Sequence, residues 1–219
     1  MAQKDEKKEV TFVDDETLNP AIEKMLEGKT EEGETVEVII TTKGYENRKD
    51  PKMTVEVAFP NRIRMNHKMC VIGDENAKVK AEEAGLPFAL MSEYEGKTPE
   101  MVKKREKFIR QHGTFICCPG SVKVFPLKEI LMKKKTTFTC QNVDQFSTLY
   151  ERLLKTYKLR VKDWYSVAFP AGHTGLTNDQ IKDNLKESIQ FISGKFKKGA
   201  ANIKHCFIKR AHGETVKLY

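Results

Sequence analysis

The sequence predicts an α/β protein of two domains: a discontinuous α+β domain and, inserted into it, a Rossmann-like α/β domain. Its 219 residues suffice for two domains of about 100 residues each. Strand and helix patterns alternate in the middle of the chain, which is typical of a parallel sheet. Both ends combine strands with one helix, and each end, at roughly 60 residues, is small for a stable core. We therefore expect the two ends to fold together.

The first third of the chain predicts one helix and two strands. Asn19 can cap the helix, Pro20 suits its first turn, and Gly28 can close its last turn. Strands are predicted over Thr35–Thr42 and Met53–Phe59, where β-branched residues alternate with charged ones. This segment therefore predicts the order helix, strand, strand.

The middle of the chain predicts alternating strands and helices. The predicted strands cover Met69–Ile72, Phe88–Met91, Thr114–Cys118 and Thr136–Cys140. The predicted helices run from Asp74 to Ala84, from Pro99 to Arg110 and from Phe146 to Tyr157. The segment Pro119–Leu131 has no clear periodicity.

The last third predicts a strand over Leu159–Phe169, a helix, and a strand over Ile203–Lys209. The helix begins with a capping box at Thr177–Gln180 and ends at Gly194. The predicted organisation is an acidic N-terminal extension over 1–16, a split α+β domain over 17–66 and 158–219, and an inserted, three-layer α/β domain over 67–157.

The charge distribution indicates a polyanionic partner. The formal charge is +8, but residues 1–35 sum to −6, so residues 36–219 carry +14. Residues 97–135 sum to +8 and residues 194–219 to +6, with lysine more frequent than arginine. Such a composition favours contact with the backbone of structured RNA. A solvated, lysine-rich surface is the other interpretation of this pattern.

The motifs of several other classes of protein are missing. Gly96-Lys97-Thr98 lacks the earlier glycine of a phosphate-binding P-loop, and G-x-G-x-x-G does not occur. The five cysteines and five histidines lack the spacing of a zinc site, so we expect no metal and no cofactor. A Cys-His hydrolase stays open, because such partners meet only in space. Without a long apolar run or a signal sequence, we expect a soluble, non-secreted protein with no membrane partner.

Several passages resemble one known family, and they occur in its order. They are Glu34–Glu37 with Tyr45 and Lys49-Asp50, Lys68–Asp74, Thr114–Ile116, Gly172-His173 with Asp183-Asn184, and Phe207–Lys209 through Gly213 to Leu218-Tyr219. Together they make residues 17–219 similar to the universal large-subunit ribosomal protein family numbered one, in its eukaryotic form.

The resemblance implies a non-enzymatic, rRNA-binding constituent of the large ribosomal subunit with a split RNA-binding domain. Its partners would be the rRNA helices of the mobile stalk, exit-site tRNA and other ribosomal components. It would assist release of deacylated tRNA from the exit site, and it would be cytoplasmic, with nucleolar passage during assembly. The alternatives are a nucleolar ribosome-assembly factor of the same family and, more remotely, a small-molecule enzyme that uses the α/β domain.

The resemblance also implies the RNA-binding residues. They are Thr35, Glu37, Lys162, Gly172, His173, Lys209, Arg210, Gly213 and Lys217. The cations would neutralise phosphates, and Gly213 would let the backbone approach the ligand closely. In the other interpretation, Thr35 and Glu37 are the exposed face of a strand and Gly172-His173 is a turn. The triplet Ala211-His212-Gly213 stands where the family usually has Thr-Met-Gly, and Glu31-Glu32 where it has Lys-Phe. We expect these changes together to weaken binding, with compensation by Lys209, Arg210 and Lys217, and the effect of the triplet alone stays open.

Overall fold

The computed structural model describes residues 13–28, 33–95, 98–118, 135–140 and 142–219. Contacts between α-carbons divide the chain into two compact units. Unit 1 comprises Met1–Met65 and Leu154–Tyr219, and unit 2 comprises Asn66–Leu153. Whether each unit folds independently within the predicted domain boundaries stays a prediction.

Unit 1 is an antiparallel assembly built from both ends of the chain. Its described elements are α1 (Asp15–Leu26), β1 (Thr35–Thr42), β2 (Thr54–Ala58), β7 (Thr156–Arg160), β8 (Ser166–His173), α5 (Asn178–Ser193), β9 (Ile203–Arg210) and β10 (Thr215–Lys217). Four strands form a sheet in the order β10-β9-β1-β8, and β2 pairs with β7. The central strand β1 therefore lies between two strands that follow it by more than 120 residues.

The core of unit 1 lies on one face of the four-stranded sheet. Alternate residues of β1, among them Val36 and Ile40, are fully buried, whereas the residues between them are half-buried. Helices α1 and α5 add apolar stripes, for example Ile22 and Leu185, to the same core. Apolar side chains recur every two residues along the strand and about every 3.6 residues along the helices, and both sets pack together on this inner face. The opposite, outer face carries polar side chains such as Thr35 and Glu37 together with half-buried Ile39 and Phe207.

Unit 2 is a parallel α/β unit. Its described elements are β3 (Met69–Gly73), α2 (Glu75–Glu83), β4 (Phe88–Leu90), α3 (Pro99–Gln111), β5 (Thr114–Cys117), β6 (Thr136–Thr139) and α4 (Phe146–Leu154). The strand order β4-β3-β5-β6 is that of doubly wound sheets. Every residue of β3 and β5 is buried, as expected of central parallel strands. The predicted α/β fold class is confirmed.

The beginnings of α3, α4 and α5 were predicted correctly, whereas α2 begins at Glu75, one residue after its predicted start at Asp74. Asp74 caps α2 by accepting a hydrogen bond from the Ala77 N–H at 3.1 Å. Thr177 and Gln180 form the predicted capping box at the start of α5. Among the helices that the structure describes, none is long and apolar enough to cross a bilayer.

The beginning of α1 was predicted wrongly. The helix starts at Asp15, four residues before Asn19, so that Asn19 and Pro20 lie inside it. The Asp14 carbonyl accepts hydrogen bonds from the N–H groups of Thr17 and Leu18. Leu18 is fully buried, so packing of the first turn extends the helix beyond its local start signals.

The helical spacing up to Tyr157 was also misleading. Helix α4 ends at Leu154, and Tyr157 lies in β7 opposite Val57 of β2. Pairing with a distant strand outweighs the local pattern. The predicted strand over Leu159–Phe169 is two strands, β7 and β8, and β10 was not predicted. Residues 119–131, which gave no clear pattern, lie outside the described residues.

We predict that unit 1 folds without unit 2. Ala58 pairs with Thr156, and the Phe59 N–H donates to the Lys155 carbonyl at 2.8 Å, so the two segments of unit 1 already meet beside the insertion. Replacing residues 66–153 by a Gly/Ser linker of about eight residues should leave native-like circular dichroism and cooperative thermal unfolding. The same shortened chain with Ile40→Asp is the unfolded control. A shortened chain that resembles this control would refute the split domain.

Candidate nucleic-acid interface

The outer face of the four-stranded sheet carries four of the nine predicted site residues, namely Thr35, Glu37, Lys209 and Lys217. Glu37 of β1 lies opposite Lys209 of β9, which in turn lies opposite Thr215 of β10. Lys217 lies opposite Phe207, two pairs further along, and Phe207 lies opposite Ile39. Directly opposite side chains lie about 5 Å apart on one face, so the polar groups border a small apolar patch of Ile39 and Phe207.

The cations of this face are available to a ligand. Lys209 is half-buried and Lys217 is exposed, and neither has an ion-pair partner among the residues that the structure describes. Glu37, although it lies opposite Lys209, is likewise not ion-paired within the described part of the chain. The face therefore offers two ammonium groups, one carboxylate and the Thr35 hydroxyl, with half-buried Phe207 beside them.

Arg210 has a different environment from its neighbour Lys209. Its side chain is buried, and its guanidinium lies 3.5 Å from both carboxylate oxygens of Glu34. The Nη2 group donates to the carbonyls of Glu27 and Gly28, both at 3.0 Å, just after the end of α1. Arg210 thus neutralises a buried carboxylate and holds the end of the first helix.

Gly213 makes room for Arg210. Its N–H donates to the Arg210 carbonyl at 3.1 Å, which closes the turn between β9 and β10. A Cβ atom at this position would overlap the Arg210 side chain, with the Cδ only 2.8 Å away. This contact is a structural reason for glycine at position 213. It adds to the reason predicted from the sequence, which was a close approach of the backbone to a ligand.

Gly172 and His173 end β8 beside the start of β1. Gly172 is buried, and a Cβ there would lie 3.1 Å from Leu176 Cδ1. His173 lies opposite Thr35, and its Nδ1 accepts a hydrogen bond from the Gly175 N–H at 3.2 Å. Burial lowers the pKa of His173, so at neutral pH its ring is uncharged.

Two buried polar residues that the sequence analysis did not select shape this end of the sheet. Thr174 Oγ1 accepts from the N–H groups of Gly33 and Glu34, at 3.0 and 3.1 Å, and so fixes the chain entering β1. Asn184 of α5 donates to the Ala171 carbonyl at 2.8 Å, at the bulge of β8 opposite Val36 and Glu37. A polar residue on the apolar stripe of α5 was the available signal for Asn184.

Lys162 lies apart from the other predicted residues. It is exposed in the connection between β7 and β8. The following strand begins at Ser166, opposite Thr41, whereas Thr35 lies six residues away along β1. At about 3.3 Å per residue, roughly 20 Å separate these two ends of the sheet. The structure therefore does not bring Lys162 to the interface around Lys209.

The cysteines are buried thiols. Burial raises the pKa of Cys70 and Cys206 to about 12 and that of Cys117 to about 11. They stay protonated at neutral pH, whereas a Cys-His hydrolase needs a thiolate. Within the described residues, no group of three or more His, Cys, Asp or Glu side chains could hold a metal ion.

Comparison with known proteins assigns the chain to a class, that of the ribosomal proteins. The chain belongs to the ribosomal protein L1p/L10e family, whose model matches residues 21–214. This family is structural and non-enzymatic, and the membership confirms the resemblance seen in the sequence.

Curated relatives make the assignment more particular. The protein of Encephalitozoon cuniculi, named large ribosomal subunit protein uL1, is 31% identical over 100% of both chains. The protein of the same name from Entamoeba histolytica is 30% identical, over 85% of this chain and 88% of its own. That of Caenorhabditis elegans is 26% identical, over 93% and 97%. The low identity over nearly full length marks this chain as a divergent member.

We predict that Arg210→Met strongly destabilises unit 1, because it leaves the Glu34 carboxylate buried without its counter-charge. The free energy of unfolding in urea should fall by about 3–5 kcal/mol. The double variant Arg210→Met with Glu34→Gln should regain part of this loss, since no unpaired charge is left. Lys209→Met, one residue away and half-exposed, should change stability by less than about 0.5 kcal/mol. Equal effects at Arg210 and Lys209 would contradict the buried pair.

Proposed function

We propose that this chain is a structural constituent of the large ribosomal subunit that binds rRNA of the mobile stalk. In this role it assists the release of deacylated tRNA from the exit site during translation. The observation that carries the proposal is the family match over residues 21–214, together with relatives named large ribosomal subunit protein uL1. The protein works on cytoplasmic ribosomes, passes through the nucleolus during assembly, and catalyses no reaction.

The proposed rRNA contact is the outer face of the sheet around Lys209. Lys209 and Lys217 bind phosphates as point charges, which fits recognition of an RNA backbone by shape. The Glu37 carboxylate cannot approach a phosphate, so it accepts hydrogen bonds from a ribose 2′-hydroxyl or an exocyclic amine. The Thr35 hydroxyl can donate to the backbone or accept from it, and the Phe207 ring lies where a ribose or a base can pack.

The remaining predicted residues near this face maintain its shape and do not contact the RNA themselves. Arg210 is occupied by Glu34 and by the carbonyls that follow α1, and Gly213 provides the space for it. Gly172 allows close packing of Leu176, and neutral His173 holds the turn at Gly175. We assign these four residues to the shape of the interface. The altered triplet Ala211-His212-Gly213 leaves Lys209 in place, so backbone binding does not depend on it.

The two alternatives have less support. A nucleolar assembly factor of the same family would use the same face on RNA, but the curated relatives carry the name of a ribosomal subunit protein. A small-molecule enzyme would need a reactive group in unit 2, where Cys70 and Cys117 are protonated thiols.

Sedimentation distinguishes a ribosomal constituent from an assembly factor. We predict that the protein stays with translating polysomes in a sucrose gradient at moderate salt. Treatment with puromycin and high salt, which separates the subunits, should leave it in the large-subunit fraction. Its presence only in precursor particles would indicate the assembly factor, and its absence from all particles would refute both roles.

The proposed face has its own test with a transcript of the stalk helices of large-subunit rRNA. Lys209→Ala and Lys217→Ala should each weaken binding and reduce the slope of log affinity against log salt by about one, because each removes one phosphate contact. Lys24→Ala, an exposed lysine of α1, is the matched control and should change neither quantity. Slopes that match the wild type for both sheet variants would exclude this face.

A further inference from the structure

A second basic surface lies at the other end of unit 1, around Tyr165. This side chain has 70% of its surface exposed, the largest fraction among the exposed large hydrophobic residues of the described chain. It directly precedes β8, in the same connection as Lys162. A tyrosine ring exposed to this extent has no packing role in the core of unit 1.

The backbone holds Tyr165 firmly although its ring is free. Its N–H donates to Asp163 Oδ1 at 2.8 Å, and its carbonyl accepts from the Thr42 N–H at 3.1 Å. The preceding Trp164 is buried and stacks on Tyr45, with ring centroids 4.1 Å apart and planes within 5° of parallel. The ring is therefore presented from a rigid base, so that its immobilisation on binding costs little entropy.

Three exposed lysines lie in the segments that meet at Tyr165. Lys43 directly follows Thr42, which bonds to Tyr165, and Lys52 Nζ donates to the carbonyl of Lys162. None of Lys43, Lys52 and Lys162 has an ion-pair partner within 4 Å among the described residues. The ammonium groups of Lys43 and Lys162 are therefore available to an anion, whereas that of Lys52 also interacts with the Asp163 carboxylate.

The acids of the same region are already engaged. Asp163 Oδ1 accepts hydrogen bonds from Asn47 Nδ2 at 2.5 Å and from the Tyr165 N–H. Glu46 pairs with Lys49 at 2.7 Å, and Asp50 pairs with Lys197. Positive charge therefore predominates around the exposed ring.

We propose that Tyr165, Lys43, Lys52 and Lys162 form a second RNA contact, specific for single-stranded nucleotides. The ring stacks on an unpaired base, and the lysines bind the phosphates on either side of it. An exposed aromatic ring among cations is the chemistry that recognises single-stranded RNA, because every base has a π-face. The proposal rests on the proposed function only for the choice of RNA as the partner, and it gives Lys162 a role away from the Lys209 face.

RNA fits this surface better than an acidic peptide does. A peptide would bind the lysines through carboxylates and would bury apolar side chains against an apolar patch, but Tyr165 is the one exposed large hydrophobic residue between β7 and β8. A single planar ring flanked by point charges matches the alternation of base and phosphate along one strand. Thr41, opposite Ser166, and Glu37, opposite Lys209, are four residues apart on β1, or roughly 13 Å at about 3.3 Å per residue, so one folded RNA can contact both surfaces.

Fluorescence anisotropy with the full chain tests the proposal. The probe is a labelled, mixed-sequence oligoribonucleotide of ten nucleotides, single-stranded, and the comparison is a duplex of equal length. Tyr165→Ala should weaken binding of the single strand by between about 5- and 150-fold, the range measured for loss of one stacked base. Tyr165→Phe keeps the ring and should stay within about twofold of the wild type. The duplex should respond to neither change.

Two controls separate stacking from general effects. Phe191→Ala removes another exposed ring, which lies under Lys195 at 5.1 Å, and should leave the affinity for the single strand unchanged. Lys52→Ala and Lys162→Ala should each reduce the salt slope by about one. Trp164 is the chain's single tryptophan, so an unchanged emission maximum verifies that the fold around Tyr165 is intact in each variant.

The outcomes distinguish this contact from the Lys209 face. Wild-type affinity of Tyr165→Ala for the single strand, or no binding of that strand by the wild type at 50 mM salt, would overturn the second contact. Neither result would bear on stalk RNA binding through Lys209 and Lys217. Conversely, loss of single-strand binding in Tyr165→Ala, with no binding of the stalk transcript by the wild type, would refute the proposed stalk site and support the second contact.

Discussion

The place of β1 at the centre of the four-stranded sheet is the constraint on which unit 1 depends. β1 comes from the first fifth of the chain, and its neighbours β8 and β9 come from the last third. The loop that must close before these strands pair contains all of unit 2, and closing it costs chain entropy that only the completed core can offset. The strands of the outer face share this requirement, so the proposed RNA site exists only once both ends have met.

Neighbouring cations on β9 show how burial separates structural charges from functional ones. Arg210 points to the inner side, where its planar guanidinium satisfies Glu34 and two helix-terminal carbonyls at once. Lys209 points to the outer side, where its flexible ammonium is hydrated and where, in the proposed function, a phosphate replaces the water. Successive side chains of a strand point to opposite faces, so the planar guanidinium of Arg210 lies inside and the compact ammonium of Lys209 lies outside. Each side chain is suited to its place, the first to several fixed acceptors and the second to a hydrated surface.

The same separation extends to the whole of unit 1. Buried polar groups such as Thr174 and Asn184 fix the backbone at the end of the sheet beside Thr35, whereas Lys209 and Lys217 have no ion-pair partner among the described residues. A surface of this kind binds an extended polyanion with modest demands on individual contacts, and it tolerates sequence change at single positions. That tolerance is consistent with a family whose members here share about a quarter to a third of their residues.

The sequence by itself determined the fold class, because apolar periodicity reports the local choice between helix and strand. The capping box at Thr177 and the buried runs of β3 and β5 were recognisable in this way. Periodicity carries no information on which distant strand pairs with which. Only the tertiary structure decided that Tyr157 joins β2, that Glu37 faces Lys209, and that Lys162 lies at the far end of the sheet. Charge counts alone likewise could not separate buried Arg210 from available Lys209, since burial is a property of the assembled sheet and not of the residue type.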